Sequence, residues 1–298
     1  MKRWQADGLL LAVAAIWGLA FVPQAWGMET LQPMGFTGLR FALGALVVAP
    51  LAWRERRRPA PVVPAGGPPR WLLLFGLGSL IFLGAALQQI GLVTTSVTNA
   101  SFLTALYVPL VPVLGWLLFG RRPHWIAWPA AVGCVAGTWL LTGGQAVHMV
   151  AGDWWVIASS LPWALHVVLV GWAAGRLGAP YTVACVQFIV CSVLSLIAAA
   201  ALESMSWEAV RAAAGAIAYT GLISVGVGYT AQVVAQRHTQ PADAALVLSS
   251  ETVFAAIFGA LLAGDRLTAA GWAGCALILG CILLAQLPML WRQREAGH

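Results

Sequence analysis

From Trp71 to Gly120 the chain runs for fifty residues without one charged side chain, and no other feature narrows its possible folds so far. A helix needs about 20 apolar residues to cross a bilayer. The run is therefore too long for one crossing and long enough for two, with Thr94-Thr95-Ser96-Val97-Thr98-Asn99 as the polar break between them. The rest of the chain is similar in kind: 60% of its residues are hydrophobic and 9% charged, at a mean hydropathy of +0.84, where soluble proteins carry roughly a quarter charged residues. In lipid every backbone polar group must be satisfied within the protein, which leaves helices or a closed barrel. The alternating short segments of a barrel are missing. The expected fold is an all-α integral membrane protein with the lipid bilayer as its solvent.

The chain also matches itself. Shifted by 144 positions, Gly84, Gln88, Thr95, Ala100, Gly115, Gly120, Arg122 and Trp128 fall on Gly228, Gln232, Thr239, Ala244, Gly259, Gly264, Arg266 and Trp272. Asp7 and Trp17 are answered by Asp153 and Trp163, so two copies are expected, residues 1–147 and 148–298. The apolar run Gly8–Met28 has the look of a signal peptide, with Ala12-Val13-Ala14 as a cleavage site. It continues past that site and has a mate in the second copy, so it reads as the first helix. The apolar runs and their breaks predict ten transmembrane helices, five in each copy. An odd number per copy places the second copy upside down, which predicts an inverted repeat.

Arginine and lysine positions set the orientation. With the N-terminus inside, Lys2, Arg3, Arg54, Arg56, Arg57, Arg58, Arg70, Arg121, Arg122, Arg176, Arg237, Arg292 and Arg294 collect on the cytoplasmic side, and Arg211 and Arg266 alone lie outside. Both termini are thus expected in the cytoplasm. The net charge of +6 is spread over short loops and forms no patch suited to nucleic acid. Cys134, Cys185, Cys191, Cys275 and Cys281 lie in apolar runs without metal-ligand spacing, so they read as packing residues. No cofactor is implied, and a monomer is expected.

Several side chains are candidates for chemistry within the membrane. Trp17 and Trp163 offer an apolar face and an N–H donor at matching depths, against the alternative of helix packing. Gln88 and Gln232 can bond a carboxylate or an ammonium group, or clamp two helices together. Glu251, in the polar cluster Ser249-Ser250-Glu251-Thr252, is the leading charged candidate for substrate or proton handling, with Ser250 beside it. Arg40 is the other deep charge and reads as a structural anchor. His166 is a candidate proton carrier, set against a hydrogen-bonded packing role. Tyr107, Pro109 and Pro112 suit a gate, because proline removes a backbone donor. Gly84 and Gly228 suit close packing or sliding of the third and eighth helices, and Gly133 and Gly137 form a GxxxG spacing. Asn99 and Asp243 read as helix caps.

At Ala15-Ile16-Trp17-Gly18-Leu19-Ala20-Phe21-Val22, Arg40-Phe41 and Pro109-Leu110-Val111-Pro112 with Gly120, the sequence resembles the drug/metabolite transporter superfamily in its EamA branch, over nearly the whole chain. Within it the chain is similar to bacterial aromatic amino acid exporters. The resemblance implies ten helices in two inverted halves, location in a bacterial inner membrane, and export of a small molecule through a central cavity. The family often has a glutamate at the corners after the fourth and ninth helices. Here they read Gly120-Arg121-Arg122 and Gly264-Asp265-Arg266, so an acid survives only in the second.

The expected function is secondary transport by alternating access of small amphipathic metabolites, above all aromatic or large apolar amino acids. An exporter of drugs or cationic compounds, with Glu251 as counter-charge, is the alternative within transport. An intramembrane enzyme is disfavoured, since no metal-ligand, nucleophile–base or phosphate-loop pattern is found. A receptor or scaffold would normally bring a soluble output domain, and every loop is short.

Overall fold

The computed structural model describes residues 1–57, 68–120, 122–141, 149–263 and 268–295, and their regular structure is entirely helical. Arg58, Arg121 and the Gly264-Asp265-Arg266 corner lie outside the described residues. In the first half α1 spans Arg3–Met28, α2 Pro33–Arg56, α3 Arg70–Leu92, α4 Val97–Thr104, α5 Tyr107–Phe119 and α6 Ala127–Leu141. In the second, α7 spans Ala151–Leu177, α8 Pro180–Leu202, α9 Trp207–Ala212 and α10 Ala214–Ala218. A π-helical stretch, Tyr219–Tyr229, leads into α11, Thr230–Ala235; then come α12, Pro241–Leu248, α13, Glu251–Phe258, a π-turn, Gly259–Ala263, and α14, Ala269–Glu295.

Eight of the resulting rods are long and apolar enough to cross a membrane, and Ala127–Leu140 and Ala269–Leu284 are shorter apolar helices. The protein is a multi-pass membrane protein. Trp4, Trp26, Trp53, Trp71 and Trp207, each at or near a helix end, are exposed as an interfacial belt requires. Trp163 is 8% exposed and belongs to the interior.

Two rods expected to be continuous are broken, at Ala105-Leu106 between α4 and α5 and at Ser249-Ser250 between α12 and α13. These breaks coincide under the 144-residue shift, yet they arise differently. In the first, Pro109 has no N–H to give the Ala105 carbonyl, which instead accepts from Val108 N at 3.0 Å. In the second, hydroxyls occupy the carbonyls: Ser249 Oγ donates to Leu246 O (2.6 Å), Ser250 Oγ to Val247 O (2.7 Å) and Thr252 Oγ1 to Ser249 O (2.9 Å). The capping expectation is corrected here. Ser96 caps α4, its hydroxyl accepting from Asn99 N at 3.1 Å, which leaves Asn99 inside the first turn. Asp243 lies in the first turn of α12 and accepts from Arg3 instead.

The two halves interlock. α2 packs along α8, α3 along α7 and α6 against α14, while α1 meets the π-helical stretch, α11 and α13. Gly133 and Gly137 allow the close approach of α6 to α14, facing Cys281 and Ile278. Glu55, near the end of α2, accepts from Tyr181 N (3.4 Å) and Thr182 N (2.7 Å) in the first turn of α8. Glu203, just after α8, accepts from Met34 N (2.7 Å) and Gly35 N (2.8 Å) in the first turn of α2. Each carboxylate satisfies the orphan donors of the other helix, and the pair runs antiparallel. A second exchange links Thr95 Oγ1 to Asp153 and Thr239 Oγ1 to Asp7, the latter at 3.4 Å.

Candidate functional site

Between the halves lies a central cavity of about 50 Å³, whose wall includes Trp17, Gln24, Arg40, Gln88, Thr104, Tyr107, Trp163, His166, Tyr229, Gln232 and Glu251. The two tryptophans are placed by glycines on the opposing half. A Cβ on Gly84 would stand 2.8 Å from the ring of Trp163, and one on Gly228 would stand 2.8 Å from Trp17 Nε1. Tyr229 sits at the hub of the rings: its centroid is 4.5 Å from Trp17 and 6.1 Å from Trp163, which it stacks on at 23°. The wide π-helical turn leaves the Ser224 carbonyl to accept from Trp17 Nε1 at 3.3 Å. Three large faces thus border one space.

The polar groups of the wall are only partly paired. Gln88 Nε2 donates to Thr104 Oγ1 at 2.9 Å, Arg40 donates through a terminal nitrogen to Gln24 Oε1 at 2.6 Å, and His166 Nε2 lies 3.1 Å from Gln187 Oε1. The Arg40 guanidinium also lies 5.6 Å and 5.3 Å from the ring centres of Phe36 and Phe41. Arg40 Nε, Tyr107 OH, Trp163 Nε1, His166 Nδ1 and Gln232 Oε1 are buried without a partner among the described residues. Such groups are costly to leave unpaired. Their convergence suits a polar guest.

Tyr107 and Glu251 coincide under the 144-residue shift, and each is the first residue of the half-helix that follows a break. Gly18 lets α1 approach the α13 backbone at Glu251. Glu251 is 4% exposed, and its carboxylate has no hydrogen bond or ion pair among the described residues; in particular it forms none with Arg40. Two opposite charges therefore border one cavity without cancelling by contact.

Of the candidates named from the sequence, Trp17, Trp163, Gln88, Gln232, Tyr107, Glu251 and His166 share this cavity. Ser250 is not on its wall, because its hydroxyl turns back to Val247 O. Gly84 and Gly228 stand behind the tryptophan rings. Pro109 shapes the α4–α5 break, and Pro112 lines a second cavity of about 420 Å³ together with Trp172, Arg176, Gln236 and Arg237. Sequence reasoning missed Gln24, Thr104 and Tyr229, and Arg40, read as an anchor, lines the cavity. The self-match had no signal for Tyr229: its mate is Ala85.

The profile of the EamA-like transporter family matches twice, at residues 4–143 and 150–286. The chain belongs to the EamA-like transporter family. Among the relatives of this EamA-like protein are an uncharacterized transporter of Archaeoglobus fulgidus, 26% identical over 96% of this chain and 87% of its own, and an uncharacterized transporter, YwfM, of Bacillus subtilis, 26% identical over 97% and 96%. The uncharacterized inner membrane transporter YedA of Escherichia coli is 26% identical over 94% and 90%. A crystal structure superposes on this EamA-like chain with a TM-score of 0.78 at 19% identity, covering 96% and 98% of the two chains, which establishes a shared fold.

Proposed function

We propose that this EamA-like protein exports small amphipathic zwitterions, aromatic or large apolar amino acids, from the cytoplasm across a bacterial inner membrane by alternating access. In this reading the ring of the cargo lies among Trp17, Trp163 and Tyr229. Arg40 and Gln24 receive its carboxylate, Glu251 and Gln232 receive its ammonium, and Glu251 with His166 handles a coupling proton. The observation that carries the reading is the joining, around one cavity, of three aromatic faces with two unlike charges that make no ion pair. Intramembrane charges of this kind commonly mark a transport pathway.

The architecture in this proposal is ten transmembrane helices in two inverted repeats, residues 1–147 and 148–298, acting as a monomer with both termini in the cytoplasm. The reciprocal carboxylates of Glu55 and Glu203 on antiparallel α2 and α8 support it, as does the meeting of each tryptophan with the other half's glycine. The central cavity, at about 50 Å³, is well below the roughly 300–1,000 Å³ of ligand pockets. Cargo then enters only when α3, α5, α11 and α13 rearrange, and the breaks before Tyr107 and Glu251 provide the hinges.

The test is release of labelled phenylalanine, tryptophan and lysine from proteoliposomes, with and without a pH gradient. Flux of the aromatic amino acids, with a raised KM in Trp163→Ala and a dependence on the gradient lost in Glu251→Gln, is the expected result. No amino acid flux from folded protein would overturn it. A second reading, export of cationic compounds, is favoured by the contrast between Glu251, which lacks a partner among the described residues, and Arg40, which has Gln24. Arg40→Gln separates the two, since it removes the carboxylate partner and leaves a cation its counter-charge.

A further inference from the structure

The 420 Å³ cavity lies about one helical turn, roughly 6 Å, beyond the central one along the same three helices. Tyr107, Val167 and Gln232 line the central cavity, and Val111, Gly171 and Gln236, each four residues on, line the second. Gln236 stands between them. It is 3% exposed, its Nε2 donates to Val167 O at 2.9 Å, and its Oε1 has no partner among the described residues. The volume is that of a small-molecule site, eight times the central space.

The lining is amphipathic and of one sign. Phe119 and Trp172 form an aromatic wall with centroids 5.7 Å apart, and the guanidinium of Arg176 lies 5.6 Å from the Trp172 ring. Arg237 is exposed at the rim and forms no ion pair among the described residues. No carboxylate is among the described lining residues. Asp243, next in sequence to the lining residue Ala242, accepts from Arg3, and Asp7, which accepts from the lining residue Thr239, lies 3.9 Å from Arg3.

We infer that this cavity is a second binding site, which takes the carboxylate end of an amphipathic small molecule at Arg237, with its ring against Phe119 and Trp172, before transfer past Gln236 to the central cavity. As an entry site for cargo it rests on the transport reading above; as a binding site it stands apart from it. A guanidinium presents paired donors that fit a carboxylate. An aromatic wall beside it selects against small hydrophilic anions.

The glycines of the site make a clean test possible. A Cβ on Gly115 or Gly175 meets nothing within 4 Å, and both residues line the cavity. Gly175→Leu and Gly115→Leu therefore add bulk at the cavity wall from an unobstructed Cβ. The probe is labelled 3-phenylpropionate, a ring and carboxylate without an ammonium group, in equilibrium binding to the full-length protein in phosphatidylcholine nanodiscs. Arg237→Gln is expected to bind about tenfold more weakly or worse, as the loss of a charge-assisted hydrogen bond implies, with Arg237→Lys recovering only the part that charge alone supplies. The two leucine variants are expected to lose binding by occupying the site.

Unchanged binding in all three variants overturns the inference. So does binding lost in Trp163→Ala but kept in the leucine variants, which would put the probe in the central cavity. Displacement of the probe by phosphatidylglycerol at bilayer concentrations would assign the site to a lipid headgroup and overturn its role for cargo. The transport reading fails separately: absent phenylalanine flux alongside Arg237-dependent probe binding sinks that reading and keeps the site, whereas phenylalanine flux with an unchanged KM in Arg237→Gln keeps that reading and overturns the site's role as an entry point for cargo.

Discussion

Gly84 and Gly228 are small because each faces a tryptophan of the other half, and the consequence is testable one methyl group at a time. Gly84→Ala would put a carbon 2.8 Å from the Trp163 ring, an overpacking that costs about 1–3 kcal/mol. Gly76→Ala on the same helix meets nothing within 4 Å. Thermal unfolding in detergent should show a lowered Tm for Gly84→Ala alone, and phenylalanine flux should show a raised KM, because the displaced ring borders the cavity. Equal behaviour of the two variants would mean that Trp163 is free to move. The tryptophans, Gln88 and Gln232 were legible in the sequence because they recur at matching positions. Tyr229, facing Ala85 in the register, and Gln24, with no glutamine mate, were not. A search by symmetry finds scaffolding shared by the halves and passes over residues that make them differ. Arg40 illustrates this: α2 and α8 align on Pro33 and Pro180, which sets Arg40 opposite Gln187. The first pairs with Gln24 and the second with His166, so one charge is present in one half only.

Among the elements, α2 and α8 are tied by Glu55 and Glu203, each seated on the other helix's free N–H groups. Removing such a cap costs about 0.5–2 kcal/mol, and the negative charge also suits the positive end of the helix dipole. Glu55→Ala and Glu203→Ala should each lower resistance to unfolding by SDS by that amount. The two caps lie roughly 30 Å apart by the length of α2, so the double variant should show the sum of the single effects. A cost in the double variant well below the sum would show that the helices unzip from one end as a unit. Neither carboxylate was singled out from the sequence, because a glutamate beside a polar loop carries no sign of a partner 127 or 169 residues away. The breaks were half legible. Pro109 announced the first, whereas the second depends on three hydroxyls turning back on their own helix, which serine and threonine in a row permit but do not require.

At the scale of the whole molecule the two Thr–Asp contacts sit at opposite ends of the proposed pathway. Thr95 with Asp153 ties the α3–α4 turn to α7, and Thr239 with Asp7 ties the α11–α12 turn to α1. The second is reinforced by Arg3, which binds Asp243 and lies 3.9 Å from Asp7, whereas the positions matching Arg3 and Asp243 in the other half are Met149 and Asn99. The end with Thr239 also carries the 420 Å³ cavity, and none of the described lining residues of the two cavities lies at the end with Thr95. If alternating access exchanges which end is closed, the Thr95–Asp153 contact, with no arginine beside it among the described residues like Arg3 at the other end, is the weaker latch. Thr95→Val keeps the shape of the side chain and spares the Asp153 bond to Val150 N. A hydrogen bond to a charged group is worth about 1.5–3 kcal/mol, and 1.4 kcal/mol is a factor of ten in an equilibrium. Losing a latch made only in the state seen here would therefore shift the population about tenfold or more toward opening at the Thr95 end. Ala20→Cys, on the central wall in a background freed of the five buried native cysteines, reports this by its labelling with an impermeant maleimide. The rate from outside should rise about tenfold in Thr95→Val, whereas Thr239→Val should leave it unchanged, since Arg3 and Asp243 still hold that end. Equal rates in all three proteins would show that neither contact gates the cavity, and would leave the α5 and α13 hinges as the moving parts.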